Sequence, residues 1–163
     1  MEKLVIVRHG EYEYRDGDNH LNREGRKKVI EVASCISEML SENEGIVIFS
    51  SPSTRAVETA EIFADTLGLD ISSINQELAI GADSWTEKMI VWLTDASKKH
   101  KVIIAVTHLE HTKFSLPEFI RQEFIEEFKR FELWYARQTF DGTLKAGEAV
   151  LIDFVSKDFS MVR

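Results

Sequence analysis

What the chain lacks narrows its class before any motif is considered. There is one cysteine, Cys35, in 163 residues, so no intrachain disulfide can form. Its place within an amphipathic pattern predicts a small core residue and not a reactive thiol. Positive charge is also in deficit, with a formal net charge of −8 at pH 7. A nucleic acid or an anionic membrane would be met by an unfavourable overall field, and neither is an expected partner. No apolar run is long enough to cross a bilayer, and the first strand pattern begins near residue 3, which leaves no room for a charged and apolar leader. A cytoplasmic location is the expectation. Repeats, low-complexity tracts and a recognisable linker are missing too, so residues 1–163 are expected to form a single domain. At 44% hydrophobic and 29% charged, the composition suits a globular chain with a proper core.

What is present alternates between strand and helix signals. Leu4 to Val7, GIVIFS at 45–50 and KVIIAVTH at 101–108 are nearly continuous apolar runs rich in β-branched residues, which suits strands covered on both faces. Asn22 is placed to cap a helix running to about Ser41, with an apolar stripe at Val29, Val32, Ala33, Ile36, Met39 and Leu40. Pro52 precedes a second helix that Gly68 closes after Leu67. Residues 71–83 read as extended or irregular, 85–99 as a third helix, 116–140 as helical and 149–155 as a last strand. The polar segment EYEYRDGDNH reads as a loop. This order predicts an α/β fold, a three-layer sandwich with a mostly parallel central sheet flanked by helices.

Open α/β sheets bind ligands at the carboxyl ends of their strands, and here those ends carry unusual groups. The first supplies Arg8, His9 and Gly10, the second Ser50, Ser51 and Arg55, and the third Thr107 and His108. Two arginines and two histidines would share one crevice. A guanidinium offers a planar fork of donors that matches phosphate oxygens. A histidine with a pKa of about 6.5 is largely neutral and nucleophilic at pH 7. The set therefore suits phosphoryl transfer, and arginines can supply charge that Mg²⁺ supplies elsewhere. No obvious carboxylate cluster offers itself for a metal, so no metal and no organic cofactor are expected.

RHGE at 8–11, LNREG at 21–25, SSPSTRAVETAE at 50–61, ELAIG at 77–81 and VTH at 106–108 together resemble the ordered motifs of the histidine phosphatase, or phosphoglycerate mutase-like, superfamily. The resemblance implies that His9 is the nucleophile, that Arg8 and Arg55 bind the phosphoryl group, and that His108 stabilises it in the transition state. Glu77 resembles the proton-donating glutamate of the wider family. The compact length and the late GEAVLIDF at 147–154 look most like the short branch typified by phosphohistidine phosphatases that act on proteins. Two departures stand out. Many members have glycine after the second histidine, where this chain has Leu109 and Glu110; the Leu109 N–H is left to donate to phosphate, whereas Glu110 would repel it if it faced inward. Asn19 and His20 stand where the short branch commonly has an arginine.

Simpler roles suffice for other residues. His20, His100 and His111 read as structural or solvated, and His108 with His111 at i, i+3 lacks a third metal ligand. Phe119, Phe124, Phe128, Phe131, Trp134 and Tyr135 read as packing residues, because an acidic chain offers no electrostatic track for bases. Glu11, Glu13, Asp16 and Asp18 form a solvated face that would disfavour a highly anionic small substrate. The resemblance to the short branch implies phosphohistidine on a protein as the substrate, so a phosphorylated protein is the expected partner. A small phosphorylated metabolite is the alternative, and a phosphate-binding module without catalysis is the reading from another class.

Overall fold

Arg8 pairs with Thr107 and Ser50 with Val106 in one parallel ladder, and this register brings three strand ends to the same edge of the sheet. The computed structural model describes residues 1–40, 45–123, 125–139 and 141–163. The strands are β1 (Lys3–Arg8), β2 (Tyr12–Arg15), β3 (Asp18–Leu21), β4 (Ile46–Ser50), β5 (Asn75–Gln76), β6 (Val102–Thr107), β7 (Ala149–Asp153) and β8 (Asp158–Val162). Six of them form a sheet in the order β5-β4-β6-β1-β7-β8. The first four run parallel, while β7 and β8 are antiparallel to their neighbours.

Side-chain alternation sorts each central strand between two cores. Val5 and Val7 of β1 join Ile104 of β6 on the face covered by α1 (Arg23–Met39) and α2 (Thr54–Thr66). Leu4 and Ile6 join Ile103 and Ala105 on the face covered by α3 (Thr86–Lys99), α4 (Leu116–Glu123) and α5 (Ile125–Gln138). Every one of these strand side chains is fully buried. The three-layer α/β sandwich predicted from the pattern is the architecture observed. No helix among the described residues is long and apolar enough to cross a membrane.

Local signals explain the helix starts. Asn22 caps α1 by accepting the Gly25 N–H at 2.7 Å, and Gly68 follows α2 with φ of +66°. Gly25 is there for another reason, since an added Cβ would lie 2.1 Å from the Glu11 carbonyl oxygen. The first helix and the loop after β1 therefore pack backbone to backbone.

Several expectations need correction. Cys35 is exposed, because it lies off the stripe of Val29, Val32, Ala33, Ile36 and Leu40 that faces the sheet. Met39 sits on the rim of that stripe and is also exposed. Ser41, Phe124 and Phe140 lie outside the described residues. The helical segment 116–140 is seen as α4 and α5, and a π-helical turn at His111–Ser115 leads into α4. EYEYRDGDNH is not a loop. It forms most of the hairpin β2–β3, whose two connecting residues, Asp16 and Gly17, have φ of +54° and +89°. The packing role of the aromatics holds for those described: Phe131 contacts Tyr135, Trp134 and Phe159, tying α5 to β8.

Candidate active site

His9 follows β1 directly, and its backbone N–H donates to the Thr107 carbonyl at 3.0 Å. The side chain is almost wholly buried. Nδ1 lies 2.9 Å from the Gly10 carbonyl, which only accepts, so Nδ1 carries the hydrogen. Nε2 is then a bare lone pair, and Arg55 Nε donates to it at 3.1 Å. Burial, with help from the positive charges of Arg55 and Arg8, pushes the His9 pKa down to about 4. The ring is neutral at pH 7.

His108 follows β6 and lies beside His9, with ring centroids 5.0 Å apart. Arg55 Nη2 approaches its Nδ1 at 3.5 Å; a guanidinium cannot accept, so His108 Nε2–H donates to Ser51 Oγ at 2.7 Å. Burial is again the main reason that the His108 pKa falls to about 3, ahead of the neighbouring His9 and Arg55. Arg55 thus touches both rings from the first turn of α2, and Thr59 Oγ1 steadies that turn by donating to the Arg55 carbonyl at 2.7 Å.

Arg8 Nη1 donates to the Leu144 carbonyl at 2.7 Å, and its Nε is buried without a hydrogen-bond partner among the described residues. Desolvation lowers the Arg8 pKa, and its charge acts on both histidines. The Leu144 turn is held in place by Glu148, which accepts from Lys145 N at 2.9 Å. Arg8, His9, Arg55 and His108 therefore converge on one crevice.

The remaining predicted residues stand around it in different ways. The Gly10 N–H is committed to Thr59 Oγ1 at 3.2 Å. Gly10 is glycine because a Cβ there would come within 2.9 Å of Val29 and 3.0 Å of Leu21. Leu109 opens the helical segment after His108, and Glu110 beside it is exposed. Glu77 caps the 3-10 turn Leu78–Ile80 by accepting the Ala79 N–H at 2.9 Å, while its own N–H donates to the Ser50 carbonyl at 2.8 Å. A groove of about 1010 Å³ runs from Ser53 and Arg55 past Glu77 to Val91 and Trp92 on α3.

The turn that carries Glu77 is tied to β6 from below. Thr107 Oγ1 donates to the Ile80 carbonyl at 2.8 Å, and His111 Nε2–H to the Gly81 carbonyl at 2.9 Å. His111 is buried, which lowers its pKa, and it is structural as expected. His20 also has a partner: its Nδ1 lies 2.9 Å from Glu58, which further accepts from Leu21 N and Arg26. Burial opposes ionisation of Glu58, yet these bonds hold its pKa below the ordinary value. Thr54 Oγ1 donates to Asp18, so the hairpin β2–β3 is fastened to the start of α2.

Sequence reasoning missed several neighbours of the site, Thr59, Leu144 and Tyr12 among them. Tyr12, the first residue of β2, places its ring 4.6 Å from Arg55 Cζ and meets the His9 ring edge-on at 5.6 Å. The signal that could have found it was the Asp-Gly pair after alternating Tyr12 and Tyr14, which predicts a two-residue hairpin turn.

Comparison with known proteins adds the following. Residues 4–83 match the model of the histidine phosphatase superfamily (branch 1). Among solved structures, the protein histidine phosphatase SixA complexed with tungstate superposes with a TM-score of 0.69 at 16% identity, covering 99% of this chain and 94% of that one. A putative phosphohistidine phosphatase SixA from Agrobacterium tumefaciens gives 0.65 at 15% identity, with 99% and 96% covered. The mycobacterial glucosyl-3-phosphoglycerate phosphatase gives 0.64 at 13% identity, with 98% and 96% covered. These likenesses establish a shared fold. No curated protein sequence matches the chain.

Proposed function

We propose that this chain, which matches the model of the histidine phosphatase superfamily over residues 4–83, is a phosphatase that moves a phosphoryl group first to His9 and then to water. The observation that carries this reading is the Nδ1 contact of His9 with the Gly10 carbonyl, which leaves Nε2 as a neutral nucleophile. The Nε2 lone pair attacks phosphorus, and the bond from phosphorus to the leaving group breaks with its electron pair staying on that group. His9 keeps its Nδ1–H, so the phosphorylated ring is cationic and its N–H remains on Gly10. Water then attacks phosphorus, the P–Nε2 bond returns its pair to His9, and phosphate leaves with the proton of the water.

Arg8 and Arg55 bind the phosphoryl oxygens, and the buried Nε of Arg8, without a partner among the described residues, supports that role. His108 adds a further contact as charge develops, and the N–H groups at the start of the helical segment, Leu109 first, lie where a helix favours an anion. With two fixed cations the chemistry does not call for a divalent metal.

The favoured substrate is phosphohistidine on a protein. Three observations support it: the likeness to SixA, the open groove beside Arg55, and the exposed Glu11, Glu13, Asp16 and Asp18, which repel compact polyanions. A phosphorylated small metabolite is the second reading, favoured by the position of Glu77 in the groove as a proton donor and by the likeness to the glucosyl-3-phosphoglycerate phosphatase. Turnover of a phosphohistidine peptide against a set of alkyl and aryl phosphates, with and without a chelator, tests both. Faster turnover of the phosphoramidate, unchanged by chelation, is expected. Hydrolysis of neither class overturns the enzymatic reading.

A further inference from the structure

Tyr12 has no part in the chemistry described above, yet it touches two of its participants. Its ring lies 4.6 Å from Arg55 Cζ, and it meets His9 at 5.6 Å with an interplanar angle of 65°. Core packing does not account for it, because 47% of the residue remains exposed. The hairpin that carries it is tied down at its far strand, by Glu58 at His20 and Leu21 and by Thr54 at Asp18. Tyr12 is therefore presented to Arg55 by a braced element.

Arg55 has a demanding task. Its Nε donates to the His9 lone pair that must attack phosphorus, and its Nη2 approaches His108. Attack requires the guanidinium to release that lone pair and turn the same N–H to a phosphoryl oxygen. A carboxylate holding Arg55 would occupy N–H donors and compete with phosphate. An aromatic face attracts the cation without taking a donor, and it tolerates movement of the guanidinium across the ring. We propose that Tyr12 is a positioning residue, a platform that keeps the Arg55 guanidinium over the crevice and lets it pass from His9 to the phosphoryl group with its donors free. The inference rests on the proposed role of Arg55 in binding that group.

Orthovanadate, a phosphate-like oxyanion, is the probe, and its dissociation constant is measured alongside kcat and KM for an aryl phosphate. Tyr12→Leu should weaken vanadate binding by roughly three- to thirtyfold, the range of a partly desolvated cation–π contact. KM should rise more than kcat falls. Tyr12→Phe keeps the ring and should recover binding to within about threefold. In an Arg55→Ala background, Tyr12→Leu should change vanadate binding and kcat/KM by less than about twofold, because the platform then has nothing to support. Should the leucine variant not fold, Tyr12→Met makes the same comparison. Equal losses in both backgrounds, or Tyr12→Phe as weak as Tyr12→Leu, would overturn the inference. A wild-type protein that binds vanadate while Tyr12→Leu binds it equally well would overturn it alone. Failure of the wild-type protein to bind vanadate would remove the functional reading and this inference together.

Discussion

Two regions meet at this site, the strand-end crevice and the rim that overhangs it. In the crevice His9, Ser50, Ser51, Thr107 and His108 are each no more than 5% exposed, and the parallel ladder fixes where each emerges. The rim consists of the hairpin β2–β3 and the turn after Glu77, where Leu78 is 78% exposed. Buried groups with one available geometry are suited to a reaction step, which depends on orientation to fractions of an ångström. Exposed groups on a turn are suited to sorting substrates by charge and leaving group. A change in the crevice, or at Tyr12 where the hairpin reaches Arg55, should therefore affect every substrate, whereas a change at the turn after Glu77 should discriminate.

The largest effect is expected in the crevice. His9→Ala should lower turnover of phosphohistidine and alkyl phosphates alike, by on the order of 10³-fold or more, since the covalent route is lost. Steady-state rates on the two substrates check this. Glu77→Gln tests the rim. An alcohol leaves as an alkoxide whose conjugate acid has a pKa near that of water, about 15.7, and it needs a proton donor. Imidazole needs much less help, because its conjugate acid has a pKa of about 6.5. Alkyl phosphate turnover should fall by roughly 10²- to 10⁴-fold while phosphohistidine turnover changes little. Equal losses on both would move Glu77 into the crevice's class of effect.

Arg55→Lys returns to the crevice with a smaller change. Charge is retained but the fork that reaches His9, His108 and the phosphoryl group is not, so kcat/KM should drop by about 10²-fold on both substrates. The smallest effect is on stability. Both histidines have folded pKa values below the ordinary 6.5, so the fold favours their neutral forms. Their contribution is complete above pH 6.5 and is lost as pH falls from 6.5 towards 4 for His9 and towards 3 for His108. For His9 the loss between pH 7 and pH 5 is about 2 kcal/mol. Denaturant titrations of the wild type and His9→Ala at the two pH values should show the smaller decline in the variant.

The same division decides what could be read from the sequence. The central strands were legible because a strand buried on both faces must be continuously apolar, and Arg8, His9 and His108 stood out by ending such runs. Asn22 and Gly68 marked helix ends through chemistry that is local to them. Cys35 was misplaced because it lies between residues of the buried stripe in sequence but off that stripe in space. The rim was harder, since Tyr12 is positioned by contacts with α2 some forty residues away, which no local period records. The Asp-Gly turn was a local signal for the hairpin, but the burial pattern of β2 gave no support, as all four of its residues are exposed. The placement of Glu77 likewise became visible only when the 3-10 turn was seen fastened to Thr107 through the Ile80 carbonyl and to His111 through the Gly81 carbonyl.

The most direct test of the account is to trap the protein during turnover. Rapid acid-free quenching with ³²P-labelled aryl phosphate, followed by peptide mapping, should place an acid-labile phosphate on His9, bonded through Nε2, with none in His9→Ala. Label on any other residue, or undiminished turnover by His9→Ala, would contradict the assignment of His9 as the nucleophile.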